Sequence, residues 1–237
     1  MLDTTKLRES DLILTLLAED GSQLRCVARG ARKPGGRLAA RTQLFCEADL
    51  LVARGRSLDV VSEAQLERAH AGISGDLARV SAASAVAEVA RLTCFEDATD
   101  PFLYPVCSRA LTACEQAVGQ PHLDVVVAAY VLKVLSHQGW RPQLDACVLC
   151  GEPDVSRLSA MAGGAVCESC SRELPGAEPV GAAELAWLRA LIGLTFDELL
   201  EAEVTPVMAS YLLAAIHGWA ATHLDARLRA LEFLLGS

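Results

Sequence analysis

Apolar and polar positions follow two different rhythms along this chain, and the change between them divides it. Residues 11–18 are almost continuously apolar, Gly21 marks a turn, and residues 23–30 form a second run. In residues 43–52 one face reads Leu44, Cys46, Ala48, Leu50, Val52 and the other Gln43, Phe45, Glu47, Asp49, Leu51. That alternation predicts a half-buried antiparallel strand. Arg54-Gly55-Arg56 is a turn, and residues 58–62 return as a further short strand. A handful of short strands in so small a segment suits a barrel of the OB type, which manages its sheet edges by closing. After Gln65 the period becomes helical. Leu77, Val80, Ala83, Val86, Ala87, Ala90 and Leu92 recur near 3.6-residue spacing within residues 75–95. Asp100-Pro101 has the form of a helix start, with Asp as N-cap and Pro in the first position. Further helices are expected over 121–138, stopping at Gly139, over 181–193, and over 206–224, opened by Thr205-Pro206. On the last of these, Met208, Leu212, Ala215 and Trp219 read as a core-facing stripe.

The predicted fold class is therefore α+β. An OB barrel spans residues 1–66, and a helical domain spans 67–237 with a cysteine ribbon inserted at 144–175. The 237 residues are 52% hydrophobic, enough to bury a core in each part. The longest apolar runs, 123–135 and 207–216, are too short to span a bilayer, and Lys133 interrupts the first. No signal-peptide pattern opens the chain, so nine cysteines point to a reducing cytosol, where clustered thiols bind metal. Cys26, Cys46, Cys94, Cys107 and Cys114 are scattered and read as buried core thiols.

Cys147, Cys150, Cys167 and Cys170 form two Cys-x-x-Cys pairs separated by sixteen residues. Each pair can turn two thiolates toward one point, and the spacing suits a structural zinc site. An iron–sulfur cluster and unmetallated thiols are the alternatives. Gly151 after the first pair and Gly163-Gly164 before the second supply the tight turns. Four thiolates leave zinc no open position, so water activation is disfavoured. No histidine is followed two residues on by glutamate, and Ala146 precedes the first pair, which removes the zinc-deaminase pattern. The ribbon itself carries Glu152, Asp154, Glu168 and Glu173 against Arg157 and Arg172, a poor surface for DNA.

The positive charge lies elsewhere. Between Arg25 and Arg56 eight cations face Glu47 and Asp49, a net +6; the whole chain carries −9, so the remainder carries −15. A basic stretch on a barrel strand and its loop is the electrostatic footprint of a phosphate backbone. Arg25 and Arg29 are predicted to project from one strand face, beside a mobile basic loop over residues 30–37. That loop resembles a Walker A sequence only superficially, because Gly36-Arg37 replaces Lys-Ser/Thr and Pro34 lies inside it. Phe45 is the single aromatic residue between Leu12 and Leu66. With so thin a stacking platform, binding is expected to rest on phosphate charge, with weak sequence preference and strong salt sensitivity.

Several stretches together resemble the bacterial RecO recombination mediators. They are Glu9-Ser-Asp-Leu-Ile-Leu-Thr-Leu-Leu17, Val27-Ala-Arg-Gly-Ala-Arg-Lys33, and Gly139-Trp-Arg-Pro-Gln-Leu-Asp-Ala-Cys-Val-Leu-Cys-Gly151 with its second Cys pair. Leu224-Asp-Ala-Arg-Leu-Arg-Ala-Leu-Glu-Phe-Leu234 adds a C-terminal match. The resemblance implies a non-catalytic DNA repair and recombination protein of the cytoplasm, associated with the nucleoid. It implies binding of single- and double-stranded DNA, strand annealing and assistance to recombinase loading. The implied partners are RecR and the acidic tail of single-strand-binding protein. It places DNA contact on Arg25, Arg29, Arg32 and Lys33, with Arg37 in a more variable part of the same loop. Arg227 and Arg229 either receive an acidic peptide or decorate a last helix. Only Met1–Arg8 precede the first matched segment, where the family has a longer strand: either the first strand is short or the chain starts late. The rival reading is an interaction adaptor that works through its acidic helical domain.

Overall fold

The structure, a computed structural model, describes residues 1–236. Packing divides the chain into two compact units, one of Met1–Gln116 and one from Ala117 onward.

The first unit opens with five strands: β1 (Asp3–Lys6), β2 (Leu12–Leu17), β3 (Gln23–Ala28), β4 (Glu47–Ala53) and β5 (Asp59–Arg68). Their order is β1-β2-β3-β5-β4, antiparallel throughout except for the parallel β3–β5 pair. This is the five-stranded, partly open barrel of the OB type. The first and last strands of the order approach each other where the Phe45 N–H donates to the Met1 carbonyl (3.0 Å) and the Met1 amine to the Cys46 carbonyl (2.8 Å). Leu14, Leu16, Cys26, Ala28 and Val61 fill the interior, with Leu50 and Val52 from the face of β4 that alternation predicts.

Two boundaries differ from the sequence reading. Residues 43–46 are turns rather than strand, because Phe45 takes a left-handed conformation (φ 69°) and the Cys46 N–H closes on the Gln43 carbonyl. In contrast, β5 continues to Arg68, past residue 62 where the sequence reading ends the strand. Most of that stretch is exposed on both faces, so pairing with β4 rather than burial makes it a strand.

Helices α1 (Ala71–Ser74), α2 (Leu77–Thr93) and α3 (Leu103–Gln116) complete this unit. Asp76 caps α2 by accepting from the Ala78 and Arg79 N–H groups. Alanines at 82, 83, 85 and 90 are buried there and allow close packing on α3 and β2. Gly21 is required between β2 and β3: its φ is +84°, and a Cβ would lie 1.8 Å from the Asp100 carbonyl oxygen.

The second unit is built around α4 (Gly119–Leu135), buried along nearly its whole length from Leu123. A wider turn over Ser136–Trp140 ends it, with Gly139 at φ 97°. The cysteine segment follows as β6 (Arg157–Ser159), β7 (Gly164–Val166), α5 (Glu168–Ser171) and β8 (Glu178–Pro179), in the sheet order β7-β6-β8. Then come α6 (Ala182–Gly193), α7 (Phe196–Glu201), α8 (Pro206–His223) and α9 (Arg229–Leu234). Lys133, which breaks the apolar run of α4, donates to the carbonyls of Ile192 and Leu194 at 2.9 and 2.6 Å. A cation thereby satisfies the orphan carbonyls at the C-terminal end of α6. Among the described residues no helix is long and apolar enough to cross a membrane.

Candidate nucleic-acid interface and metal centre

Strand register decides where the basic residues gather. Leu12 pairs with both Lys6 and Ala28, so the β1–β2 turn and the long β3–β4 connection leave the barrel at the same end. Arg29, Arg32, Lys33 and Arg37 lie on that connection and are exposed; Lys6 and Arg8 arrive there on the neighbouring turn, also exposed. The sequence reading missed these last two because the short polar β1 carries no apolar period. Asp11 binds the two segments together by accepting from the Gly30 N–H at 2.9 Å. That hydrogen bond first, then the Ser10 hydroxyl and the nearby Arg8 and Arg29, hold its carboxyl below the usual range against the cost of desolvation.

The connection is pinned rather than a mobile loop. Ala31 and Leu38 sink into the barrel core, and successive turns close from Lys33 to Gly30, Gly36 to Lys33, Ala39 to Gly36 and Arg41 to Leu38. Arg32 is part of the pin. Its guanidinium donates to the Arg8 and Glu9 carbonyls at 3.2 and 2.9 Å, and its N–H donates to the Ser10 carbonyl. Arg25 lies back along β3, exposed and opposite Thr15 of β2. Arg54 and Arg56 go the other way, because β5 enters beside Cys26 and leaves the β4–β5 turn toward the start of β3. The basic stretch is therefore a cluster at one end of the barrel, with Arg25 on the adjoining strand face.

Elsewhere in this unit a buried polar cluster fastens the barrel to its helices. The side chain of His70 is fully buried; Nε2 lies 2.9 Å from Glu47 Oε1 and Nδ1 lies 3.2 Å from Glu115 Oε2. Glu47, at the start of β4, also accepts from the Ser108 hydroxyl (2.9 Å) and the Tyr104 hydroxyl (3.2 Å) on α3. Glu115 accepts from the Gly72 N–H at 2.7 Å. The residues are far apart in sequence, and no local motif announces them.

In the second unit the four ribbon cysteines converge. Their sulfurs all lie within 4.8 Å of one another, with Cys150 and Cys167 at 3.7 Å. Four sulfurs about 2.3 Å from one tetrahedral ion would be about 3.8 Å apart, so the set fits a single thiolate-preferring metal. The first knuckle turns at Gly151 (φ 79°), whose N–H donates to the Cys147 carbonyl; Cys167 begins α5, with the Ser171 N–H on its carbonyl. The Val148 N–H donates to the Ala165 carbonyl and joins the two knuckles. Their acidities diverge. Backbone N–H groups, Cys167's first, hold the Cys147 thiol down to about 6 against a desolvation cost. Hydrogen bonding to Cys167 and Cys150, followed by burial, pushes Cys170 up to about 12. A divalent cation would remove this conflict, since coordination deprotonates every thiol it binds.

The scattered cysteines are buried, as the sequence implies. Burial pushes the Cys26 thiol up to about 11 and the Cys114 thiol up to about 12. Little thiolate exists at these two at neutral pH, and all five are buried, so none is expected to react with a thiol reagent in the folded protein. Chelation should expose only the ribbon four. Mass spectrometry of alkylated peptides checks this, and early modification at Cys26 or Cys114 would contradict it.

Of the C-terminal arginines, Arg227 is paired with Glu232 through Nε and Nη2, each 2.8 Å from Glu232 Oε2. Arg229 is exposed at the first position of α9.

Comparison with known proteins covers both units. Residues 1–70 match the family described as recombination protein O N terminal, and residues 74–232 match recombination protein O C terminal. A DNA repair protein RecO from Bifidobacterium adolescentis is 34% identical over 240 residues, which cover 99% of this chain and 96% of its own. One from Bifidobacterium animalis subsp. lactis is 40% identical over 169 residues, 70% of each chain. One from a Thermoanaerobacter species is 28% identical over 235 residues, 99% of this chain and 94% of its own.

Proposed function

We propose, from the premise that this chain belongs to the RecO family of DNA repair proteins, that it is a non-catalytic recombination mediator. It binds single- and double-stranded DNA through the barrel, anneals complementary strands, and assists recombinase loading together with RecR and single-strand-binding protein. It works in the cytoplasm at the nucleoid. The observation that carries this reading is the convergence of Arg29, Lys33, Arg37, Lys6 and Arg8 at one end of the barrel in a chain of net charge −9. Cations concentrated on one end against an acidic remainder orient the protein on a phosphate backbone. Arg25 extends the patch along β3. Arg32 acts chiefly by holding the loop in place, since its donors already serve the Arg8 and Glu9 carbonyls.

Annealing is a direct consequence of such a surface, because neutralising phosphates on two strands removes their mutual repulsion. The four ribbon cysteines hold one zinc ion, whose part is to brace the second unit. A thiolate-filled coordination sphere gives it no site for substrate.

The test is annealing of complementary oligonucleotides followed by fluorescence quenching. The wild-type protein is expected to accelerate annealing, and a variant with Arg25, Arg29 and Lys33 changed to alanine to lose at least about tenfold of that acceleration, as three phosphate contacts disappear. Unchanged annealing by a folded triple variant would overturn the assignment.

A further inference from the structure

Helix α8 carries no Asp, Glu, Lys or Arg from Pro206 to His223; its polar side chains are Ser210, Tyr211, His217, Thr222 and His223. Ala209, Leu212, Leu213, Ile216 and Trp219 are buried, on a helix that packs against α4 and α6. Its other face carries Val207, Tyr211, Ala214, Gly218 and Thr222, about one turn apart, and there Val207 is 81% exposed. A surface helix ordinarily carries charged side chains on its outer face, and this one carries none.

Opposite this face lies a groove of about 740 Å³, walled by Leu158 of β6, Met161 at the tip of the β6–β7 turn, and Pro179 of β8. Met161 stands 79% exposed at its rim. A contiguous apolar concavity of this kind marks a binding surface.

Two observations describe its occupant. Ala214, Gly218 and Thr222 follow one another at intervals of four and give the groove a shallow floor, and at Gly218 a Cβ would meet nothing within 4 Å. Small side chains at helical spacing let another helix backbone approach closely, the helix-in-groove mode of recognition. Charge supplies the second. Glu178 is the one charged residue lining the groove, and Glu184 lies near enough for both carboxylates to bear on Tyr211, whose hydroxyl donates to the Pro179 carbonyl. From Ala117 onward fourteen acidic residues stand against seven basic ones. An acidic segment would be repelled here, and a cation would be drawn to Glu178.

We propose that this groove receives an apolar helix of a partner protein that carries a lysine or arginine beside its apolar face, the cation meeting Glu178. The proposal is independent of the DNA-binding reading, since it concerns the second unit alone.

Its test uses the full metal-loaded chain and two fluorescent helical peptides with the same Leu/Ala face, one flanked by lysines and the other by glutamates. The lysine peptide is expected to bind at least about tenfold tighter than the glutamate peptide, because the like-charge pairing is penalised. Gly218→Leu fills the floor in open space and should weaken the lysine peptide while leaving the circular dichroism unchanged. Glu178→Lys should reverse the order of the two peptides. Equal affinities, tighter binding of the glutamate peptide, or indifference to both variants would overturn the proposal. Self-association abolished by Gly218→Leu would give the groove to a second copy of this chain and overturn it as well.

Discussion

Replacing Cys167 with serine is expected to leave the ribbon unfolded and to remove about one zinc per chain. The reason lies in what the ribbon buries. Its core cluster consists of Cys147, Val166 and Cys167, with half-buried Val148, Val155, Ala162, Cys170, Leu174 and Ala177 around it. Two of the three buried members of this cluster belong to the four-cysteine set, so without a metal the cluster keeps one buried valine and its partial contacts. Metal binding to Cys-rich fingers contributes on the order of 10–16 kcal/mol, which is folding free energy where no independent core exists. The Cys167 variant, or the wild-type protein with excess chelator, should therefore lose the cooperative melting of the second unit. Elemental analysis and differential scanning calorimetry give the two readings. DNA affinity should change little, because the cations assigned to it lie in the first unit. A folded Cys167 variant that no longer binds DNA would contradict the bracing role.

The second large effect concerns His70. Changing it to alanine leaves the Glu47 and Glu115 carboxylates facing each other without the imidazole between them. Removing one partner from a buried charged cluster costs about 3–5 kcal/mol, and the lower end applies because the Glu115 side chain keeps 30% exposure. The melting temperature of the first unit should fall by on the order of 10 °C. The cluster also sets an acid limit. The His70 hydrogen bond, then the Ser108 hydroxyl and Arg68, hold the Glu47 carboxyl down to about 2 from its ordinary 4.5, against the opposing effect of burial. A depressed carboxylate favours the folded state fully above pH 4.5, and that contribution is lost as the pH falls from there toward about 2. Glu47→Gln should flatten the stability profile of the first unit across this window. A profile as steep as that of the wild type would show that the acid sensitivity resides elsewhere.

Several elements were legible because their information is local. Four cysteines at two fixed spacings announce a candidate metal site wherever the chain goes, and Thr205 and Pro206 mark the start of α8 by their own side-chain chemistry. The Thr195-Phe-Asp-Glu198 capping box that opens α7 was equally local and could have been read as a helix start. Alternation along β4 correctly gave the inward face at Leu50 and Val52.

What escaped the sequence depends on register and long-range pairing. β1 is four residues, all of them polar, and becomes a strand through its partner β2. Composition identified the basic stretch, but only the pairing of Leu12 with Lys6 and Ala28 shows that Arg8 joins it and that Arg54 and Arg56 leave it. The use of Arg32 as a fastener for the β1–β2 turn follows from that register too, and no residue-level pattern distinguishes it from its exposed neighbours. The same holds for His70, whose carboxylate partners lie 23 and 45 residues away.

The central claim is that the cations at this end of the barrel and along β3 meet DNA phosphates. Its most direct measurement is the salt dependence of binding to a duplex oligonucleotide, for the wild-type protein and for the variant with Arg25, Arg29 and Lys33 replaced by alanine. Each phosphate contact contributes about 0.9 to the slope of log K against log salt. The account predicts a variant slope shallower by about 2.7, with weaker binding at every salt concentration. Superimposable lines for the two proteins would contradict it.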